Sequence, residues 1–116
     1  MDAINPLTLA VTKQTLDLLT LRQAYIAQNI ANASTPEYKP VRLEFESELR
    51  RVAQQGRPEA IKDIAVELIE EQNSDGVRVD MELAEATQSA LRYSGMIEML
   101  GRLFALQRLI VSNTGR

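Results

Sequence analysis

The side chains in this chain that could do proton or metal chemistry are carboxylates, because histidine and cysteine are both absent from its 116 residues. Without imidazole or thiol, the usual general bases, thiol nucleophiles and most transition-metal ligands are missing. Glu44, Glu46 and Glu48 in one stretch, and Glu70 with Glu71 in another, could hold a divalent cation if they converged. Their setting is that of solvated faces of short elements, where charged side chains normally reside. No metal, cofactor or catalytic residue is therefore assigned, and the chain reads as a non-enzyme. Gly56, Gly76, Gly95, Gly101 and Gly115 match neither a phosphate-cradling loop nor a dinucleotide fingerprint, which gives no support for nucleotide or any other small-molecule substrate. Arg50-Arg51 is the densest basic pair, without interleaved aromatics, and the formal charge is −3, so nothing electrostatic draws the chain to nucleic acid. Asn32-Ala33-Ser34 fits an N-glycosylation acceptor, a three-residue signal without a secretory context.

What remains is amide and hydroxyl chemistry, concentrated in QNIANASTPEYKP, residues 28–40. Asn29 and Asn32 lie three apart on one helical face, where their amides could satisfy backbone carbonyls at a helix end or reach a neighbouring subunit. Thr35-Pro36 then forces the chain out of the helix.

The elements that must position these residues are long. Ile4, Leu7, Val11, Leu18, Leu21 and Tyr25 alternate at spacings of three and four, with Gln14 filling the missing step, which is a heptad seam. A second row, Leu9, Leu16, Leu19, Ile26, Ile30 and Ala33, widens the apolar arc, so the spacing predicts a helix over about 3–33. Val79, Leu83, Ala86, Ala90, Tyr93, Ile97, Leu100, Phe104, Gln107 and Val111 repeat the pattern and predict a second helix over 81–112, with Asp80 as N-cap and Glu82 and Glu85 at the positive end of its dipole. At about 1.5 Å per residue each helix is on the order of 45 Å long. Few aromatics, two Phe, three Tyr and no Trp, also suit helices packed side by side.

The expected fold is mainly α: two long terminal helices pairing antiparallel as a coiled-coil-like rod. One structural unit is divided into 1–35, a long helix; 36–79, a middle segment; and 80–116, the second long helix. Within the middle, Leu43 to Gln54 reads as a short helix ended by Gly56 and Pro58. Residues 59–80 fit either a helix or alternating strands. The NSDG turn followed by Val77-Arg78-Val79 favours a small β-hairpin, the other reading being an irregular segment.

The strongest signal is surplus apolar surface. Met96, Met99, Leu103, Leu106 and Ile110 form a second stripe beside the last seam, so apolar residues wrap more of that helix than one partner hides. Burying five large side chains is worth on the order of 8 to 15 kcal/mol before ordering costs, which rivals the net stability of a domain. A three-helix core completed by 43–54 would cover only part of it, so assembly with other chains is expected. Gly95 and Gly101 inside the helix each cost about 1 kcal/mol, a loss that close approach of a neighbouring backbone would offset. The N-terminus carries Asp2 and no continuous apolar run, so a cleaved secretory signal is not expected, and no stretch reads as a membrane span.

Asn29-Ile30-Ala31-Asn32, Ser34-Thr35-Pro36 and Tyr38-Lys39 closely resemble the Asn-Ile-Ala-Asn, two residues, Thr-Pro-Gly-Tyr signature of bacterial flagellar rod and hook-type axial proteins. The closing ALRYSGMIEMLGRLFALQRLIV resembles the last helix of the proximal rod members of that family, including Leu91-Arg92-Tyr93 and Leu103-Phe104. Asp75-Gly76 and Val79-Asp80-Met81 resemble the lead into it. The match covers roughly the first 50 and last 45 residues. Two positions depart from it: Glu37 stands where the family has Gly, the residue that turns freely at positive φ, and Val77 replaces an Asn.

The resemblance implies a structural subunit of the flagellar basal-body rod, exported through the type III export apparatus without a cleaved signal. It would polymerise through its terminal helices and transmit torque across the periplasm for motility. Implied partners are other copies of itself, other flagellar rod proteins, rotor-adjacent basal-body components and the export apparatus. The motif residues Asn29, Ile30, Asn32, Thr35, Pro36 and Tyr38, with Tyr93, Met96, Met99, Leu103, Leu106 and Ile110 on the last helix, are the candidate subunit interface. Another rod protein of the same family is an alternative. So is a non-enzymatic amphipathic binding module, such as an export chaperone or adaptor; a membrane-surface helix would carry a Lys/Arg-rich polar face, whereas Glu82, Glu85 and Glu98 accompany Arg92 and Arg102 here.

Overall fold

Asn5 starts the first helix as the sequence chemistry requires: its Oδ1 accepts the Thr8 N–H at 2.7 Å, and Pro6 fills the first helical position, where a missing N–H costs nothing. The computed structural model describes residues 5–72 and 75–114. Ile4 of the predicted seam, the Asn73-Ser74 half of the NSDG turn and Gly115 lie outside them. Helix α1 runs Pro6–Ala31 and α4 runs Val79–Thr114, with β1 Val41–Glu44, α2 Glu46–Ala53, α3 Pro58–Ile61 and β2 Glu67–Glu70 between.

The two long helices run side by side in opposite senses: Asn29 of α1 meets Glu82 of α4, and Gln23 donates to the Ala86 carbonyl at 2.9 Å. At 26 and 36 residues they are unequal. The molecule measures 66 × 26 × 14 Å with a radius of gyration of 18.1 Å, against about 13 Å for a compact domain of this length.

The main buried core does not lie along a seam between the long helices. Leu18 and Leu19 of α1 pack with Leu43, Phe45, Leu49, Val52 and Ile61 from β1, α2, α3 and the joint between them, and Met96 is α4's addition at the margin. The middle segment thus folds back over α1. Residues 43 and 44 belong to β1 rather than to the expected helix, because Leu43 pairs with Leu68 across the sheet and its side chain enters the core. The helix that follows carries Glu46 and Glu48 in its first turn and Arg50 and Arg51 in its last, the arrangement its dipole favours.

Two corrections concern pairing. The hairpin expected around NSDG and Val77-Arg78-Val79 is not formed. The strand Glu67–Glu70 instead pairs antiparallel with Val41–Glu44, register Val41 to Glu70 and Leu43 to Leu68, and Val79 opens α4. Asp80 consequently lies inside the helix; its carboxylate, held below the usual range by the Met81 N–H and by Arg78, is exposed.

The second correction is to the seam. Leu83, Tyr93, Ile97 and Phe104 are exposed, whereas the row turned toward the rest of the chain is Glu82, Ala86, Ser89, Met96, Leu100 and Leu103. Its first half is polar because it faces charged partners, so a search for apolar periodicity selects the neighbouring row. Glu82, expected to complement the dipole at the helix start, is fully buried.

Candidate functional site

Asn29 is completely buried, and every hydrogen-bonding capacity of its amide is used. Its Nδ2 donates to the Val41 carbonyl at 3.0 Å and to Glu82 Oε2 at 3.1 Å, while Oδ1 accepts the Val41 N–H at 3.0 Å and the Tyr38 hydroxyl at 2.9 Å. The amide thereby acts toward Val41 as a neighbouring strand would, satisfying both backbone groups on the edge of β1 that faces α1. The spacing allows helix-end carbonyls or a neighbouring subunit as partners. For Asn32 the first holds, since its Nδ2 donates to the Gln28 carbonyl at 2.8 Å; for Asn29 the partner is a strand.

The rest of the motif shapes the exit from α1. Asn32 Oδ1 accepts the Thr35 hydroxyl at 3.1 Å, and the Tyr38 N–H donates to the Thr35 carbonyl at 3.2 Å. Glu37 adopts φ 63, so the left-handed turn is kept with a side chain that disfavours it. The turn returns Tyr38 to Asn29 and delivers Pro40, buried, to the head of β1. Ile30 and Asn32 are half-buried, and Thr35 and Pro36 are exposed.

Beside Asn29 lies a cation that residue spacing does not reveal. Arg42, projecting from β1, meets three carboxylates: Glu71 at 2.6 Å from Nε, Glu85 at 2.7 Å from Nη1 and Glu82 at 2.8 Å from Nη2. The Nη2–Glu82 contact is an ion pair, close but not aligned as a hydrogen bond, and it leaves Glu82 Oε1 buried without one. Burial draws the Arg42 pKa down, but Glu71, Glu82 and Glu85 outweigh it and hold it above its ordinary value. The planar fork of arginine suits this work, because a lysine ammonium could not span three acceptors in one geometry. Glu71, read as a solvated residue, is one of the three.

A second junction joins α1 to α2. Arg22 donates to Glu46 at 2.5 and 2.8 Å and to the Leu43 carbonyl at 2.8 Å, with its guanidinium 4.4 Å from the Phe45 ring centroid. Arg92 of α4 reaches the same Glu46 at 3.4 Å. Burial pushes the Glu46 pKa up, but hydrogen bonding and charge from Arg22, aided by backbone N–H groups, hold it below the usual carboxylate range. Glu46 too is a structural partner and not a free surface charge. The signal available in the sequence was Glu82, Glu85, Ser89 and Arg92, a polar run at heptad spacing that continues into Met96 and Leu103.

The remaining candidates divide along α4. Met96 packs against the core, Leu103 and Ile110 are half-buried, and Tyr93, Met99 and Leu106 are exposed. Val11, Leu19, Leu49 and Ala53 border an apolar groove of about 490 Å³ with Met96 and Met99. Among the described residues no other segment comes within 4 Å of a Cβ placed at Gly95 or Gly101, so no close approach between those residues explains either glycine. Among the described residues, no group of three carboxylates is placed to hold a metal ion, and no helix is long and apolar enough to cross a membrane.

Two unequal helices, tied near one end by buried polar contacts and leaving large apolar side chains of the longer one in solvent, form an elongated, mainly helical structural unit. The flagellar basal body rod protein FlgB of Salmonella typhimurium is 31% identical over 112 residues, covering 77% of this chain and 81% of that protein. FlgB of Bacillus subtilis is 27% identical, covering 84% and 87%. A shorter stretch of 36 residues is 56% identical to FlgB of Borrelia hermsii, covering 31% of this chain and 27% of that one. No family model matches the chain. It belongs to the FlgB family of flagellar basal body rod proteins.

Proposed function

We propose that the chain polymerises through its terminal helices, with copies of itself and with other rod proteins, into the rod that carries torque from the rotor across the periplasm for motility. It reaches that place through the type III export apparatus and meets rotor-adjacent basal-body components there. Its role is mechanical and not catalytic: stiffness comes from many bundled helices sharing load. The antiparallel helix pair supplies the inner packed layer as a coiled-coil-like element, and the middle segment 36–79 lies further out.

The observation supporting this is the exposed side of α4. Leu91 is 69% exposed and Leu109 61%, alongside Tyr93, Ile97, Met99, Phe104 and Leu106. Apolar exposure on that scale, spread over more than one side of a helix, marks an interaction surface in a folded protein. Tyr93, Met96, Met99, Leu103, Leu106 and Ile110 are proposed as its subunit contacts. Within the motif, Ile30, Asn32, Thr35 and Pro36 sit at the end of α1 where a neighbour would touch, and buried Asn29 and Tyr38 set the shape of that end.

The test is a Leu106→Glu/Leu109→Glu double variant, expressed in cells lacking the native rod subunit. Its thermal melt should match the unsubstituted chain, since exposed substitutions rarely change stability by more than about 0.5 kcal/mol. Incorporation into basal bodies and swimming should be lost. Normal incorporation with these two charges present would refute the reading.

A further inference from the structure

The two edges of the small sheet are treated differently. The Glu71 N–H donates to the Pro40 carbonyl at 3.0 Å. By antiparallel alternation, Val41 with Glu70 and Leu43 with Leu68 are then positions whose N–H and C=O groups point away from the partner strand. On β1 side chains of α1 cover three of those four outward groups: Asn29 serves both groups of Val41, and Arg22 serves the Leu43 carbonyl. On β2 the outward groups of Leu68 and Glu70 meet no partner among the described residues. All four residues of β2 are exposed, Leu68 by 51%.

Charge defines what this open edge accepts. Glu44 lies directly opposite Glu67, a like-charge pair that weakens a ladder, and Glu70 and Glu71 follow. The nearby cation Arg42 is already engaged by Glu71, Glu82 and Glu85, and Lys39 donates to the Gln72 carbonyl at the far end. A second copy of β2 would bring another Glu67 and Glu70 against these. We propose that the free edge of β2 is a docking site for an extended basic segment of a different protein, added as a third strand. Its side chains opposite Glu67, Leu68, Ile69 and Glu70 run basic, apolar, apolar, basic. Backbone pairing supplies affinity and the side-chain pattern supplies specificity. This inference does not depend on the rod reading.

The probe is an acetylated, amidated peptide Thr-Lys-Val-Val-Arg-Thr, titrated into the isotope-labelled full chain and followed by amide NMR. The Leu68 and Glu70 amides should shift and gain exchange protection, and binding should weaken with salt. The same peptide with Glu in place of Lys and Arg should not bind. Leu68→Pro removes an outward N–H while keeping the ladder to β1, and should weaken binding by roughly tenfold. Glu67→Lys/Glu70→Lys, which leaves the backbone intact, should reverse the preference between the two peptides. Equal binding of both peptides, shifts confined to other surfaces, or self-pairing of the chain through β2 would each overturn the proposal.

Discussion

Asn29 and Glu82 stand 53 positions apart in the chain, yet both are fully buried and a 3.1 Å hydrogen bond joins them across the two long helices. Through Val41 on one side and Arg42 on the other, this contact fastens α1, β1 and α4 at a single point. The helix pair can therefore keep its register without a continuous apolar seam, which leaves apolar rows of α4 available to other chains.

Replacing Asn29 by Ala should cost about 2 to 4 kcal/mol, since it leaves the Val41 N–H and carbonyl without a partner and takes from Glu82 Oε2 its hydrogen bond in a dry site. Asn29→Asp should also destabilise, because it loses both donors and sets a carboxylate beside Glu82. Urea unfolding of the two variants checks both; loss of under about 0.5 kcal/mol for Asn29→Ala would contradict the contact's role.

Arg42→Ala should destabilise by about 3 to 5 kcal/mol, the cost of leaving a buried carboxylate uncompensated. Arg42→Lys should recover only part of this. In Arg42→Ala, the further change Glu82→Gln should restore stability, which a double-mutant cycle measures.

At Glu37 the φ of 63 is one that glycine adopts without a Cβ penalty of about 1 to 2 kcal/mol. Glycine also gives up more chain entropy on folding, so Glu37→Gly should gain about 0.5 to 1 kcal/mol net. A rise in melting temperature is the readout, and a fall would show that the Glu37 side chain contributes to the turn.

The depressed Glu46 pKa fixes the direction of an acid effect. Its folded value lies below the ordinary 4.5, so the unfolded state binds more protons and stability rises with pH. The contribution is complete above 4.5 and is lost as pH falls through the folded value. Because the Glu46 side chain is 39% exposed, screening limits the effect to under about 1 kcal/mol. Glu46→Gln should flatten the acid limb of a stability–pH curve in that window.

Gly95→Ala and Gly101→Ala should each stabilise α4 in the single chain by about 0.5 to 1 kcal/mol, since the added Cβ meets nothing within 4 Å and alanine is the better helix former. If a neighbour's backbone packs there in the rod, both variants should incorporate poorly despite melting higher. Higher stability with normal incorporation would show that the glycines are merely tolerated.

The long elements and the resemblance to rod proteins were legible in the residues alone. Spacings of three and four over some thirty residues, Asn5-Pro6 at a start and Thr35-Pro36 beyond a stop, are local rules that each residue obeys with its near neighbours. The motif from Asn29 to Lys39 pointed to rod proteins without any structure. Which row of α4 turns inward, which strand β2 joins, and where Arg42 finds its carboxylates were decided only in three dimensions. Those outcomes depend on pairings between residues 23 to 63 positions apart, where a buried polar group is stable only when a distant segment supplies its partner. Periodicity registers apolar side chains alone, so an inward row that opens with Glu82, Ala86 and Ser89 could not be told from a solvated face until Asn29 and Arg42 were in place.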